Sequence, residues 1–296
     1  MPPSRLPRFR RAASISPIEL TERDREILEL VHRHRFARSS DISMAVGGSP
    51  QGVLRRLQLL YHHGYLERPR AQIDYYHRGG SREIVYGLGD KGAVAIEASM
   101  SRWGEKNRSL GRPQLEHWVM VAEITLAIES AARARGIRFL SSQEIDPRNS
   151  AHSLRWSVQT AQGETLGIFP DRVFRLDLSA GDFPQRVVFC LEADRGTMPV
   201  VRPNLAQSSI RKKLLAYAAA WHEGLHKERL HCPRFRVLIV TASKERAASI
   251  LAACSQLERG RGLFLVTDRD SFSAASNPFT LEWRTGKPGE TTRLLS

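Results

Sequence analysis

The sequence predicts an α+β protein built from two domains, and three observations support this prediction. The chain has 296 residues, about twice the length of a common single domain. Its first hundred residues contain three apolar repeats with helical spacing, followed by two short β-type runs on either side of a glycine pair. After residue 115, a long helical pattern precedes several strands and then an alternation of helices and strands. This second pattern is typical of an α/β domain with a mixed sheet.

The net charge indicates the class of partner. Lys and Arg number 45 against 31 Asp and Glu, which gives a formal net charge of +14. Such an excess favours a polyanion, because cationic side chains displace the counterions condensed on phosphates. The alternative is a basic composition without a specific partner, since Arg greatly outnumbers Lys.

Several classes of protein are disfavoured by what the sequence lacks. The three cysteines are far apart and odd in number, so a disulfide framework is not expected. No apolar run approaches the roughly 18 residues of a membrane span, and we expect a cytoplasmic protein without a membrane partner. There is no GxxxxGK[ST] phosphate loop and no G-x-S-x-G elbow, which argues against ATP-driven work and serine-hydrolase chemistry.

The third predicted helix has the clearest start in the chain. Ser49 is a suitable N-cap, and Pro50 follows at the first helical position, where its missing N–H has no cost. Val53, Leu57 and Leu60 then fall on one line at 100° per residue, which predicts the buried face. Two helical patterns precede it, and the second, a short one, ends at a Gly-Gly pair.

The opposite face of this helix is polar and predicts contacts with duplex DNA. The expected contact residues are Gln51, Arg55, Gln58 and His62, with Arg56 on the flank. Arg can form paired hydrogen bonds with guanine, and Gln with adenine, in the major groove. The alternative is a solvated surface of the kind that any exposed helix has.

A wing is predicted after this helix. Two short strands surround a Gly-Gly turn flanked by Arg78 and Arg82, which we expect to contact phosphates. Together with "LYHHGYLER" and "VYGLGDKG", these features make residues 18–98 resemble a winged helix-turn-helix domain. The resemblance implies double-stranded DNA as the partner.

Five segments are predicted along the chain. They are a basic disordered arm (1–17), the winged helix-turn-helix domain (18–98), a linker (99–114), the α/β domain (115–270) and a C-terminal tail (271–296). Within the α/β domain, the patterns predict the helices 115–135, 204–225 and 244–257. They predict strands over 137–145, near Trp156, and over 168–178, 185–194, 236–241 and 263–267.

Acidic residues on two neighbouring strands suggest chemistry in the α/β domain. Asp171 follows Pro170 at the start of one strand, and Glu192 and Asp194 lie two residues apart on the next. Alternation places Glu192 and Asp194 on the same face of the sheet. Such carboxylates can hold Mg²⁺, with water and a phosphate completing its coordination. The alternative is a solvated strand end closed by ion pairs.

Pro170-Asp171 and Glu192-Ala193-Asp194 resemble the core motif of PD-(D/E)XK nucleases. The sequence departs from that motif at Asp194, which stands where the family usually has its catalytic lysine. Some members carry the lysine on the following helix, and Lys213 matches that position. The resemblance implies that Asp171 and Glu192 bind Mg²⁺, that Asp194 assists, and that Lys213 stabilises the developing charge on the phosphate.

The whole layout resembles the replication-relaxation family of mobile-element proteins over about residues 18–270. The matching segments are "LTERDREILEL", "LEHWVMVAEI", "FPDRVFRLDL", "VVFCLEADRGTM" and "KKLLAY". The resemblance implies a winged helix joined to a nuclease-like domain and a role in plasmid or mobile-element replication, relaxation or mobilisation. It also implies replication or mobilisation proteins as partners, and winged helices often form homodimers.

Three activities remain open from the sequence. The first is DNA binding with Mg²⁺-dependent nicking. The second is a non-enzymatic regulator or replication accessory factor with a degenerate nuclease fold. The third is a restriction-like endonuclease.

Overall fold

The computed structural model describes most of the chain. The described residues are 6–73, 83–98, 103–145, 156–159, 165–178, 185–204, 206–229 and 232–295. The chain divides into two compact units, residues 1–126 and 127–296, which are treated separately below.

The first unit combines helices with a small antiparallel sheet. Its elements are α1 (Glu22–His34), β1 (Phe36–Arg38), α2 (Ser39–Val46), α3 (Pro50–His62), β2 (Leu66–Glu67), β3 (Val85–Leu88), α4 (Asp90–Ala95), α5 (Trp103–Arg108) and the start of α6 (Arg112–Arg133). The three strands are ordered β1-β3-β2, and both pairings are antiparallel.

The ends of α1 and α3 are fixed by side-chain caps. The hydroxyl of Thr21 accepts a hydrogen bond from the Asp24 amide, and the Asp24 carboxylate accepts one from the Thr21 amide. This capping box satisfies amide groups that the first turn of a helix leaves without partners. Ser49 caps α3, and Pro50 opens it as predicted.

The core of the first unit forms between α1, α2, α3 and the sheet. Val53, Leu57 and Leu60 of α3 are all buried, so the predicted inner face of this helix is confirmed. Helix α4 packs closely on the turn after α3: a Cβ atom on Gly92 would lie 2.2 Å from the Tyr65 carbonyl oxygen. Glycine is therefore required where α4 crosses that backbone.

The described part of the predicted linker is folded instead. Trp103 of α5 is 4% exposed and belongs to the core of the first unit. The buried Asn107 amide donates a hydrogen bond of 2.8 Å to the Leu88 carbonyl. The prediction of a linker over 99–114 is wrong for these residues, because the burial of Trp103 and the hydrogen bond from Asn107 to Leu88 outweigh the polar average of the segment.

The predicted disordered arm is likewise ordered where the structure describes it. Arg11 donates to the Tyr61 carbonyl at 3.0 Å and to the Glu67 carboxylate at 2.5 Å. Arg68 in turn donates to the Arg8 carbonyl at 2.5 Å. Residues 8–12 are therefore held against the end of α3 and the β2 region.

The second unit contains a seven-stranded mixed sheet. Its elements are the end of α6, β4 (Arg138–Ser141), α7 (Ser142–Ile145), β5 (Trp156–Gln159), β6 (Thr165–Ile168), β7 (Arg172–Leu178), β8 (Gln185–Asp194), α8 (Ile210–His222), α9 (Leu225–Arg229), β9 (Phe235–Thr241), α10 (Lys244–Ser255), β10 (Phe264–Asp268), α11 (Arg269–Ala274), β11 (Trp283–Thr285) and β12 (Thr291–Thr292). The sheet order is β12-β11-β10-β9-β8-β7-β4, and β5 pairs separately with β6.

Strands β8, β9 and β10 are parallel and form the centre of this sheet. Parallel neighbours need crossover connections, which α8 and α10 supply. Both helices pack on the same core as the inward side chains of these strands. Consequently the carboxyl ends of β8 and β9 and the amino ends of α8 and α10 meet at one edge of the sheet.

The predicted α+β class with a mixed sheet is confirmed, but several boundaries differ. Of the strand predicted over 168–178, residues 172–178 form β7, whereas Ile168 ends the separate strand β6, and Phe169, Pro170 and Asp171 lie between them. Proline lacks the amide that a ladder requires, which explains the break. The strand predicted over 137–145 ends at Ser141, and the helix predicted from 204 begins at Ile210.

The predicted tail over 271–296 is part of the fold. It supplies β11 and β12 to the sheet, and Trp283 is fully buried with its ring 6.1 Å from that of Phe272. The tail prediction is therefore wrong. Among the described helices, none is both long and apolar enough to cross a lipid bilayer, including the 22-residue α6.

Candidate functional site

The outward face of α3 is the first candidate site. Gln51 and Arg55 are exposed, Gln58 is half-buried, and Leu54 is 46% exposed between them. These four residues, named the α3 surface below, are spaced three and four apart and so lie on one side of the helix. Within the described residues, Arg55 forms no hydrogen bond and no ion pair. The α3 surface is therefore available to a ligand.

A groove runs beside this surface. Its volume is about 1260 Å³, and it lies between α2, α3 and the start of β3. Met44, Leu54, Gln58 and Ile84 line it, and Met44 is 58% exposed. Two large apolar side chains thus remain exposed beside the polar groups of α3.

Arg56 does not belong to this surface, although it was predicted as a contact on its flank. Its guanidinium forms two hydrogen bonds with the fully buried carboxylate of Asp24, one of them 2.9 Å long from Nε to Oδ1. Burial alone would raise the pKa of Asp24, but hydrogen bonds from Arg56 and Thr21 outweigh it and hold that pKa below its ordinary value. Arg56 therefore joins α3 to α1.

His62 was also predicted to project outward, and this prediction is wrong. The side chain is 5% exposed because the N-terminal segment covers it. The Ala12 amide donates a hydrogen bond of 3.1 Å to His62 Nδ1. Burial and neighbouring positive charges, Arg68 first among them, lower the pKa of His62. His62 is a neutral residue of the interior.

The two predicted wing contacts, Arg78 and Arg82, lie outside the described residues. Their assignment as phosphate contacts stays a prediction from the sequence.

The second candidate site lies where β7 begins and β8 ends. The Asp171 amide donates to the Leu191 carbonyl at 3.0 Å, and the Ala193 amide donates to Asp171 Oδ2 at 2.8 Å. These bonds place the Asp171 carboxylate beside the last residues of β8, where Glu192 lies. The charge of Asp171 is near enough to raise the pKa of Glu192.

Helix α8 brings two further groups to this place. Lys213 Nζ is 2.5 Å from Glu192 Oε2, and the Tyr217 hydroxyl donates to Glu192 Oε1 at 2.6 Å. Burial, with Asp171 adding to it, raises the pKa of Glu192 despite the ammonium beside it. For Lys213, burial is outweighed by Glu192 and Asp171, and its pKa is raised. Two carboxylates therefore surround one cation.

Asp194 lies on the same face but is held by a different set of partners. Arg246 of α10 donates to both of its oxygens, at 2.8 and 3.1 Å, and the Thr241 hydroxyl donates at 2.6 Å. Burial raises the pKa of Asp194, but these partners overcome burial and lower it. Asp194 was predicted to assist catalysis; its position is that of a buried ion pair closing the ends of β8 and β9.

The side chains of this cluster are of a chemical type that binds Mg²⁺, but only two of them are carboxylates available to it. Asp171 and Glu192 offer hard carboxylate oxygens, and Mg²⁺ commonly takes one or two carboxylates from a protein and the rest of its ligands from water and phosphate. In the described part of the chain, no group of three or more His, Cys, Asp or Glu side chains could hold a metal. Beyond Asp171 and Glu192, Mg²⁺ here would need further ligands such as water and a phosphate.

Comparison with known proteins gives one result. The family model described as replication-relaxation matches residues 28–232, more than half of the chain. The chain belongs to the replication-relaxation family. No curated protein and no solved structure matches it.

In this replication-relaxation protein, the region that matches the family model includes α3, Asp171, Glu192 and Lys213, and it ends before Arg246. Sequence reasoning missed Tyr217 and Arg246. Tyr217 lies four residues after Lys213, so helical spacing could have placed both beside Glu192. No comparable signal pointed to Arg246, because its contact with Asp194 depends on the crossover through β9.

Proposed function

We propose that this replication-relaxation protein binds double-stranded DNA during replication or relaxation of a plasmid or other mobile element, with α3 entering the major groove. The observation that carries the proposal is the α3 surface, where Gln51 and Arg55 project from a helix whose other side is buried. The family membership supports the wider role in replication or relaxation.

The order of elements in the first unit supports the interpretation as a winged helix-turn-helix domain. Helix α3 follows α2 after a short turn, and the antiparallel strands β2 and β3 precede and follow, in sequence, the segment predicted as the wing. In such domains the second helix of the pair lies in the major groove. Arg55 would then reach guanine and Gln51 adenine, and Leu54 would contact a thymine methyl group.

Two arginines on different helices give a matched test of this proposal. Arg55→Ala should weaken binding of the full chain to a selected duplex by about 1–3 kcal/mol if Arg55 contacts a guanine. Arg25→Ala removes the same charge from the exposed side of α1 and should leave affinity nearly unchanged. Fluorescence anisotropy measures the affinity of both variants. Repeating it at two salt concentrations gives the salt slope, which changes when a charged contact with phosphate is lost.

An equal loss of duplex affinity in the two variants, or no loss in either, would contradict the proposal. Neither side chain is buried, and Arg25→Ala removes only one exposed hydrogen bond, to the Ala95 carbonyl at 2.9 Å, so both variants should stay folded, which circular dichroism can check. A homodimer, and assembly with replication or mobilisation proteins, belong to the same proposal; light scattering with and without duplex tests the dimer.

A second candidate function is nicking of the DNA backbone, favoured by the convergence of Asp171, Glu192 and Lys213. Mg²⁺ held by Asp171 and Glu192 would polarise a phosphate and activate water. Lys213 would place its positive charge where negative charge develops on the phosphate. Tyr217 would keep the Glu192 carboxylate oriented, and Arg246 would keep Asp194 out of the reaction.

Nicking of supercoiled plasmid in the presence of Mg²⁺ tests this second function. Asp171→Asn and Glu192→Gln keep the shape of each side chain and should abolish nicking while duplex binding persists. Asp270→Asn, at an exposed position of α11, is the control and should nick as wild type does. Binding without any nicking by the wild type would instead support an accessory factor, and cutting of both strands at one defined sequence would support a restriction-like endonuclease.

A further inference from the structure

The second unit carries a basic groove at the sheet edge opposite the carboxylate cluster. It lies where β9 and β10 begin and where α8 ends, and two adjoining cavities of about 400 and 720 Å³ form it. Both cavities are lined by Trp221, Pro233 and Gly260. The groove is named the Trp221 groove below.

Positive charge dominates the lining of this groove. Its cationic side chains are Lys227, Arg234, Arg236, Arg259, Arg261 and Lys287. Within the described residues, no Asp or Glu lines either cavity, although Glu290 pairs with Lys287 at 3.1 Å from outside. Like charges gathered on one surface repel each other unless an anion binds between them.

Arg236 shows the effect of this crowding. Burial and then the adjacent charge of Arg234 lower the pKa of Arg236. Its guanidinium is nevertheless held in place by the Gly262 carbonyl, and Arg261 is held by the Leu257 carbonyl at 2.5 Å. Arg236 and Arg261 are thus held by backbone carbonyls, and Arg236 lies close enough to Arg234 for their charges to repel, an arrangement that a bound phosphate would relieve.

Trp221 provides an aromatic surface among these cations. Its side chain is 44% exposed, whereas Trp103 and Trp283 are buried. Gly260, with a φ of +75°, makes a turn beside the indole, and its two neighbours Arg259 and Arg261 line the groove on either side of that turn. A large exposed aromatic ring flanked by arginines is the combination on which unpaired bases stack.

We propose that the Trp221 groove binds single-stranded DNA, with a base stacked on the Trp221 indole and adjacent phosphates on Arg234, Arg261 and Lys287. A single strand is favoured over duplex because only an unpaired base can present its flat face to the indole. The site uses no residue of α3 and belongs to the other unit, so it goes beyond the proposed duplex binding. Replication and relaxation both produce single-stranded segments that such a groove could hold.

Binding of fluorescein-labelled dT12 to the full chain tests this site. Trp221→Ala should weaken binding at least fivefold, as expected for the loss of one base–aromatic stack. Trp221→Phe retains an aromatic ring and should restore most of the affinity. The double variant Arg234→Ala/Lys287→Ala should reduce the salt slope by roughly 1.4, about 0.7 for each phosphate contact on a single strand.

Controls separate this site from α3 and from general charge. Lys244→Ala, at the amino end of α10 and so at the other edge of the sheet, should bind dT12 as wild type does. Arg55→Ala should leave dT12 binding unchanged, and Trp221→Ala should leave duplex binding unchanged. If the protein bound dT12 but not duplex, the proposed function would be refuted and the proposal for the Trp221 groove would still stand.

Two results would overturn the inference. One is wild-type affinity of Trp221→Ala for dT12 when its melting temperature is also that of the wild type. The other is displacement of dT12 by inorganic polyphosphate at an equal phosphate concentration, which would mean that the groove recognises charge without a base.

Discussion

Arg55 and Arg56 show how much two adjacent residues of one type can differ. Arg55 is exposed and forms no hydrogen bond or ion pair with the described residues, whereas Arg56 neutralises the buried carboxylate of Asp24. Helical spacing places the two side chains 100° apart, and that rotation decides which one faces α1. No local pattern indicated that Asp24, in the capping box of α1, would also need a cation.

The buried pair of Asp24 and Arg56 leads to a prediction for stability. Arg56→Ala should lower the free energy of unfolding by about 3 kcal/mol, because it leaves the Asp24 carboxylate buried without its cation. Arg55→Ala is the matched control and should change stability by less than about 0.5 kcal/mol. Urea denaturation of both variants measures the difference. Equal stabilities would mean that the Asp24–Arg56 pair does not hold α1 to α3.

At the scale of elements, the capped helices were predictable and the interrupted strands were not. Ser49 and Pro50 define the start of α3 locally, so its position and its buried face could be predicted from the sequence. Pro170 is a local signal for the break between β6 and β7, but the pairing of β6 with β5 and the addition of β11 and β12 to the main sheet depend on strand pairing, which no local pattern encodes. The buried state of His62 likewise depends on a contact 50 residues away in sequence.

The candidate cluster was predicted in part for the same reason. Strand alternation correctly placed Glu192 and Asp194 on one face, and both carboxylates do meet side chains from the helices on that face. Whether each carboxylate meets Lys213 or Arg246 is decided by the crossovers through α8 and α10. The sequence therefore indicated the acidic residues but not the separation of Asp194 from Asp171 and Glu192.

Helix α2 gives a prediction for the pH dependence of stability. Burial, and then the charge of Glu123, raise the pKa of Asp41 to about 6 from an ordinary value of 3.8. Its Oδ2 atom is buried without a hydrogen-bond partner in the described residues. A raised folded-state pKa favours folding at low pH, and this advantage is lost as pH rises through about 6.

Asp41→Asn should therefore stabilise the protein at pH 8 by roughly 1–3 kcal/mol relative to the wild type. The difference should shrink as the pH falls below 6 toward 4, where the wild-type carboxyl is protonated in the folded state. Melting temperatures of both proteins across this range provide the measurement. A constant offset at every pH would show that Asp41 is not the titrating group.

At the scale of the whole molecule, the family membership and the net charge of +14 agree with a nucleic-acid role. Three surfaces could share that role: the α3 surface for duplex, the Asp171–Glu192–Lys213 cluster for phosphodiester chemistry, and the Trp221 groove for a single strand. The α3 surface is central to the proposed function, because nicking at the cluster would require duplex that α3 has engaged, whereas the Trp221 groove would bind a single strand independently of α3.

A cysteine placed on α3 tests this central claim most directly. The three native cysteines are all buried, so Gln51→Cys would introduce an exposed thiol on α3, and Glu26→Cys on α1 serves as its control. Maleimide labelling of the Gln51→Cys variant should slow several-fold when saturating duplex DNA is added, and labelling of the α1 variant should not change. Equal labelling rates with and without bound duplex at both positions would contradict the placement of α3 in the major groove.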